Sequence, residues 1–164
     1  MKKAILCGLL ATATLVSAAD YDMFVGGELS ATQMKWSNIP DTDSELGFGI
    51  RGGFVTDDHR IYAVANMTND LDTASIIAAA DALTEPYKLA EWYSVGFFVG
   101  GHVGVNRTDK VTKTVNGLQY GGQLGAIGYF PGNVNAEIGY RYSAIDIKDI
   151  DALEAFYLAV NFKF

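Results

Sequence analysis

At the C-terminal end of the sequence, Phe156, Leu158, Val160, Phe162 and Phe164 share one parity, and Ala155, Tyr157, Ala159, Asn161 and Lys163 share the other. A repeat of two puts these sets on opposite faces of an extended strand, one apolar and one mixed. The same alternation recurs along most of the chain. Over 135–145, Ala136, Ile138, Tyr140, Tyr142 and Ala144 oppose Glu137, Gly139, Arg141 and Ser143, and over 45–54, Leu46, Phe48, Ile50 and Phe54 oppose Glu45, Gly47, Gly49, Arg51 and Gly53. Residues 23–33, 59–68, 92–105 and 117–130 alternate likewise. Residues 73–83 are alanine-rich and suit a helix as well as a strand. They are assigned as an eighth strand because an even number lets a sheet close on itself without an exposed edge. Turn-like stretches separate the segments at 34–44, 56–58, 69–72, 84–90, 106–116, 131–133 and 146–153, and Pro40, Pro86 and Pro131 fall within them, where no ladder hydrogen bond is lost.

The 164 residues suit one domain; 49% are hydrophobic and 19% charged, which excludes a disordered chain. A single cysteine excludes a disulfide scaffold or a cysteine-built zinc module. Net charge is −7, so nucleic acid is not expected as a partner. His59 and His102 are near no second histidine or cysteine in sequence, and neither a metal nor any other cofactor is expected.

Residues 1–19 read as a cleaved export signal: Lys2 and Lys3, then an apolar run, then Ser17-Ala18-Ala19 before Asp20. The run is shorter than the roughly 20 residues a membrane-crossing helix needs. Cys7 leaves with the signal, and residues 20–164 form the barrel domain with ten basic and 19 acidic side chains, a net charge of −9.

A soluble barrel buries its apolar faces, and a lipocalin-like barrel with an internal ligand is the alternative to a membrane barrel. The polar faces decide between them. They carry Glu28, Arg51, Asp81, His102, Gln119, Gln123, Glu137, Arg141 and Lys163, interleaved with glycines. Small residues among a few long charged ones suit a cramped lumen, and continuous aliphatic and aromatic faces suit hydrocarbon. Aromatic girdles are expected at one rim from Tyr21, Phe24, Phe54, Trp92, Tyr93, Tyr129, Phe130, Phe162 and Phe164, and at the other from Trp36, Tyr142 and Phe156.

An export signal, alternating strands and a final strand of residues 157–164 ending in Phe resemble the small eight-stranded outer-membrane barrels of Gram-negative bacteria, the OmpA-like transmembrane and opacity-type families. Gly100-Gly101-His102-Val103-Gly104 is similar to the glycine-rich fifth strand of such proteins. The resemblance implies an all-β, eight-stranded antiparallel up-and-down transmembrane barrel in the outer membrane. It also implies that Tyr157, Phe162 and Phe164 belong to a signal read by the barrel-assembly machinery, with periplasmic chaperones and outer-membrane lipid and lipopolysaccharide as partners. Some barrels of this size deacylate lipid A with a His followed two residues on by Ser. Here Gly104 follows His102 at that spacing and Ile61 follows His59, so no enzymatic role is expected.

Eight strands leave an interior just wide enough for side chains. Glu28, Asp81 and Glu137 against Arg51, Arg141 and Lys163 are expected to pair as a lumen charge network that plugs the barrel. A structural or surface-interaction role follows, with a narrow porin for small solutes or ions as the alternative and a lipid-modifying enzyme a distant third. If Asp20 lies in the periplasm, the 106–116 loop faces outward, and its Arg107, Lys110 and Lys113 are candidates to bind lipopolysaccharide phosphates or a host surface polyanion. The competing reading is a solvated hairpin that pairs with acidic neighbouring loops.

Overall fold

The computed structural model describes residues 21–36, 42–68, 73–110, 113–147 and 150–164. The expected export signal, residues 1–19, lies outside them. The described residues form nine strands: β1 (Asp22–Trp36), β2 (Thr42–Val55), β3 (His59–Thr68), β4 (Thr73–Leu83), β5 (Tyr87–Ala90), β6 (Tyr93–Lys110), β7 (Lys113–Phe130), β8 (Val134–Ile147) and β9 (Ile150–Lys163). Each pairs antiparallel with its sequence neighbour except that β4 pairs with β6, and β1 pairs with β9 to close the ring. The fold is therefore a closed up-and-down barrel of eight strands. Residues 73–83 form the strand β4, whose burial alternates along its length. The four-residue β5 was not expected. After Thr84-Glu85-Pro86 interrupts the chain, β5 continues alongside β6 beyond the end of β4.

Both chain ends described meet at one rim, the terminal rim, where Met23 N donates to Phe164 O (3.0 Å) and Phe164 N to Met23 O (2.8 Å). Turns 56–58 and 131–133 share that rim. In the second, Gly132 (φ 80°) and Asn133 (φ 63°) adopt the left-handed backbone that glycine and asparagine tolerate best. At the far rim the connections are shorter than expected. The stretch 106–116 is mostly strand, with Lys110 opposite Lys113 and Arg107 opposite Asn116, and β8 and β9 extend through most of 146–153. Polar residues there do not end the strands, because a ladder needs only backbone partners, and outside an apolar zone both faces can meet water.

The outward face is apolar. Leu46 (75% exposed), Phe48, Ile50, Met67, Ile76, Val99, Leu124, Ile138, Leu158 and Val160 all face out. This inverts the soluble pattern, and only hydrocarbon can cover such a band all round a closed barrel. Aromatics gather on the outside of the terminal rim, where Tyr21 meets Phe54 edge-on (5.1 Å), Trp92 stacks on Phe130 and Phe162 on Phe164. Phe24 and Tyr129 do not belong to this girdle. Both have inward parity: Phe24 is buried against Tyr62, and Tyr129 packs against the buried cluster of Phe98, Ile127, Tyr157 and Ala159. Tyr140 packs against Phe156 (4.9 Å) midway along β8 and β9, so Phe156 does not mark the far rim.

Candidate functional site: the lumen charge network

The interior is built from inward-parity side chains of all eight barrel strands, and its middle layer is charged. Glu28 (β1), Arg51 (β2), Arg60 (β3), Asp81 (β4), Glu137 and Arg141 (β8) are all buried. Arg141 forms a two-pronged contact to Glu28, Nη1 to Oε1 at 3.1 Å and Nη2 to Oε2 at 3.4 Å, and its Nε donates to Gln123 Oε1 (3.0 Å). Gln123 in turn donates to Asp81 Oδ1 (2.6 Å) and to the Tyr62 hydroxyl (2.7 Å). Arg60 donates from Nε to Asp81 Oδ2 (2.8 Å) and grips Glu137 through Nη1 and Nη2. Arg51 lies between the two glutamates, 3.2 Å from Glu137 and 3.6 Å from Glu28. Asn161 adds a hydrogen bond to Glu137 Oε1 (2.6 Å). Three acids and three bases thus balance across the lumen, as burial of charge requires.

The guanidinium groups also lie on aromatic faces. Arg51 is 4.4 Å from the Tyr62 ring centroid, Arg60 is 4.7 Å from Phe98 and 4.9 Å from Tyr62, and Arg141 is 4.7 Å from Tyr157. Each such contact contributes about 2 kcal/mol when desolvated. Glycines make the room. A side chain at Gly139 would enter the Tyr157 ring, and one at Gly100 would overlap Asp81.

Two sequence expectations need correction. Lys163 has inward parity but sits at the terminal rim, where it pairs with Asp22 (2.9 Å) and stays 43% exposed. Its expected place in the network is taken by Arg60, whose parity matches that of Tyr62 and Val64. Parity fixes a residue's face but not its depth in a tilted barrel. In the final strand, Tyr157 faces the lumen, out of phase with the exposed Phe162 and Phe164. Of the candidate polyanion residues, Arg107 is exposed on β6, and the side chains of Lys110 and Lys113 lie outside those described.

The network divides the lumen. On the far-rim side the lumen opens as a cleft lined by Asn66, Thr68, Gln119 and Ser143 among others. On the terminal-rim side a smaller cleft is lined by Phe24, Arg60, Tyr129 and Asn161 among others. His102, buried in the lumen, brings Nε2 to 2.8 Å from Ser143 Oγ, a juxtaposition across strands that sequence spacing does not reveal. Its Nδ1 has no hydrogen-bond partner among the described residues. His59 lies by the 56–58 turn, where Asp58 accepts from Thr56 Oγ1 (2.9 Å) and lies 2.5 Å from His59 Nδ1. The Thr56 hydrogen bond, and after it the one to His59, hold the Asp58 carboxyl below its ordinary range.

No protein-family model and no curated protein matches this sequence. Among solved structures, the crystal structure of Neisserial surface protein A is similar with a TM-score of 0.67 at 17% identity, over 89% of this chain and 100% of that one. The solution structure of outer membrane protein H from P. aeruginosa, in DHPC micelles, has a TM-score of 0.62 at 21% identity, over 87% of this chain and 99% of that one. At these identities the likeness is one of architecture. The protein is an eight-stranded antiparallel β-barrel that resembles small outer-membrane barrels in fold.

Proposed function

We propose that this protein is an outer-membrane barrel of a Gram-negative bacterium, exported by a signal cleaved after Ala19, with a structural or surface-interaction role and a closed lumen. The observation that carries the reading is the layer of six paired charges between two separate clefts, beneath an outer surface that only lipid can cover. In this reading the terminal rim faces the periplasm, and the final strand with Phe162 and Phe164 is the segment engaged by the barrel-assembly machinery after delivery by periplasmic chaperones. No catalytic role is included: the His102–Ser143 contact has no carboxylate on Nδ1 to orient the ring among the described residues. Planar-bilayer recording on pure refolded protein is expected to show no steady unitary conductance. Reproducible unitary steps would favour the narrow-porin alternative instead.

The longest hairpin, β6–β7, carries Lys110 directly across from Lys113, with Arg107 nearby on the same strand. This concentration of cationic residues at one tip supports contact with lipopolysaccharide phosphates or a host surface polyanion. Replacing Arg107, Lys110 and Lys113 together by Gln is expected to weaken binding to lipopolysaccharide-coated surfaces several-fold at low salt, with little change at high salt. Unchanged binding at low salt would remove the polyanion reading and leave a solvated hairpin.

A further inference from the structure

The short strand β5 and the turn after it combine an apolar face with an open polar edge. Tyr87 lies across from Val95, which shares its parity with the outward-facing Phe97 and Val99, so Tyr87 continues that face past the end of β4. Leu89 and Trp92 are exposed nearby, and Trp92 and Tyr93 pack on Phe130, which joins this hairpin to the aromatic cluster of the terminal rim. The edge is another matter. Among the described residues β5 pairs with β6 alone, because β3 begins level with Ala82 and gives β5 no partner. A strand paired on one side leaves alternate N–H and C=O groups on the other without a ladder partner. Glu85, Lys88 and Glu91 are exposed along the same hairpin.

Hydrocarbon favours the apolar face but excludes an open sheet edge, since no water is there to take its hydrogen bonds. Water satisfies the edge but leaves Tyr87, Leu89 and Trp92 uncovered. The headgroup layer of a bilayer suits both, and tyrosine and tryptophan, each with an apolar body and a polar tip, favour it. A partner strand is a poorer occupant of the edge. β5 is four residues long, Pro86 precedes it, and its pairing is irregular between Lys88 and Ala90, all of which blunt strand addition. We infer that the β5 hairpin is an interfacial foot: its aromatic face rests in the lipid headgroup layer on the terminal-rim side, and its open edge stops the barrel from sinking deeper into the bilayer. The outward face of β6 runs without a break from the apolar band into this foot, so one lipid surface covers both. The inference rests on the reading of the barrel as a membrane protein and adds what fixes its depth there.

The test uses the protein refolded into phosphatidylcholine vesicles, with Trp36→Phe leaving Trp92 as its one tryptophan. The lipid carries a nitroxide either on its headgroup or at the middle of an acyl chain. The headgroup label is expected to quench Trp92 fluorescence at least about twice as strongly as the chain label. A control reporter, Leu124→Trp with both native tryptophans replaced by Phe, sits midway between Leu118 and Phe130 on the outward face of β7 and is expected to show the reverse order. Adding Tyr87→Ser and Leu89→Ser is expected to lower headgroup quenching of Trp92 at least about twofold. Should that variant lack the fast-migrating folded band on an unboiled gel, Tyr87→Ser alone serves, with a smaller loss. The foot is overturned if neither label quenches Trp92, which would place the hairpin in water or against a second copy of the chain. It is equally overturned if the chain label quenches Trp92 more strongly, since the edge would then set no limit, or if the serine variants are quenched as their parent is. A Leu124→Trp reporter that neither label quenches would overturn the membrane reading itself, and the foot with it.

Discussion

Replacing Glu137 by leucine is expected to destabilise the barrel by about 3–5 kcal/mol, the cost of leaving buried cations without their counter-ion. Glu137 is the most connected acid in the lumen: Arg51 and Arg60 both reach it, and Asn161 donates to it. Its removal leaves three buried guanidinium groups facing two buried carboxylates. Urea unfolding of the micelle-bound protein, followed by tryptophan fluorescence, measures the loss. The companion variant Glu137→Leu with Arg60→Leu restores the balance at two acids and two bases, and it is expected to recover part of the stability lost by the single change. A single variant as stable as wild type would mean that water reaches this layer freely and that the lumen is not closed there.

Two adjacent glycines give the sharpest contrast. Gly100 points into the lumen, where any side chain would overlap the Asp81 carboxylate and the Ala80 carbonyl, and Asp81 is held in place by Arg60 and Gln123. Gly101 points out, and the nearest atom to a side chain there is the Gly121 carbonyl oxygen at an ordinary 3.6 Å. Gly100→Val is therefore expected to abolish the folded, fast-migrating band on an unboiled gel, while Gly101→Val keeps it. The two variants add the same atoms one residue apart, so opposite outcomes report the facing of β6 and not a general need for glycine in the strand. A folded Gly100→Val barrel would show that Asp81 can leave the layer without loss.

Much of this architecture can be read from residue parity alone, because a membrane barrel exposes one face of every strand to a single apolar solvent. Glu28, Arg51, Asp81, Glu137 and Arg141 come from that pattern. Arg60 was equally visible on it, beside Tyr62 and Val64, and the rim position of Lys163 was not. Depth depends on strand tilt and on the register between neighbours, and neither is written in one strand's alternation. The stacking of guanidinium groups on Tyr62, Phe98 and Tyr157 joins β2, β3, β6, β8 and β9, so no local pattern reveals it. Inward aromatics also blurred the girdle, since Phe24 is near a strand end yet faces the lumen. The polar stretch 106–116 looked like a loop because polarity separates water from lipid, whereas strand continuity depends on the backbone.

The seam between β1 and β9 has a kinetic consequence. Phe24 pairs with Lys163 and Trp36 with Ile150, so the contacts that close the ring join residues more widely separated along the chain than any other strand pair. Every other neighbouring pair of barrel strands can zip locally as the chain emerges, but closure waits for the last strand, and non-local pairing of this kind is slow. Until β9 arrives, the sheet has two unpaired edges and a wholly apolar outer face, a form prone to join other chains edge to edge. The interval between the appearance of β1 and the docking of β9 is therefore the period in which this protein is most exposed to aggregation, and shortening it protects the chain more than any gain in the finished barrel's stability.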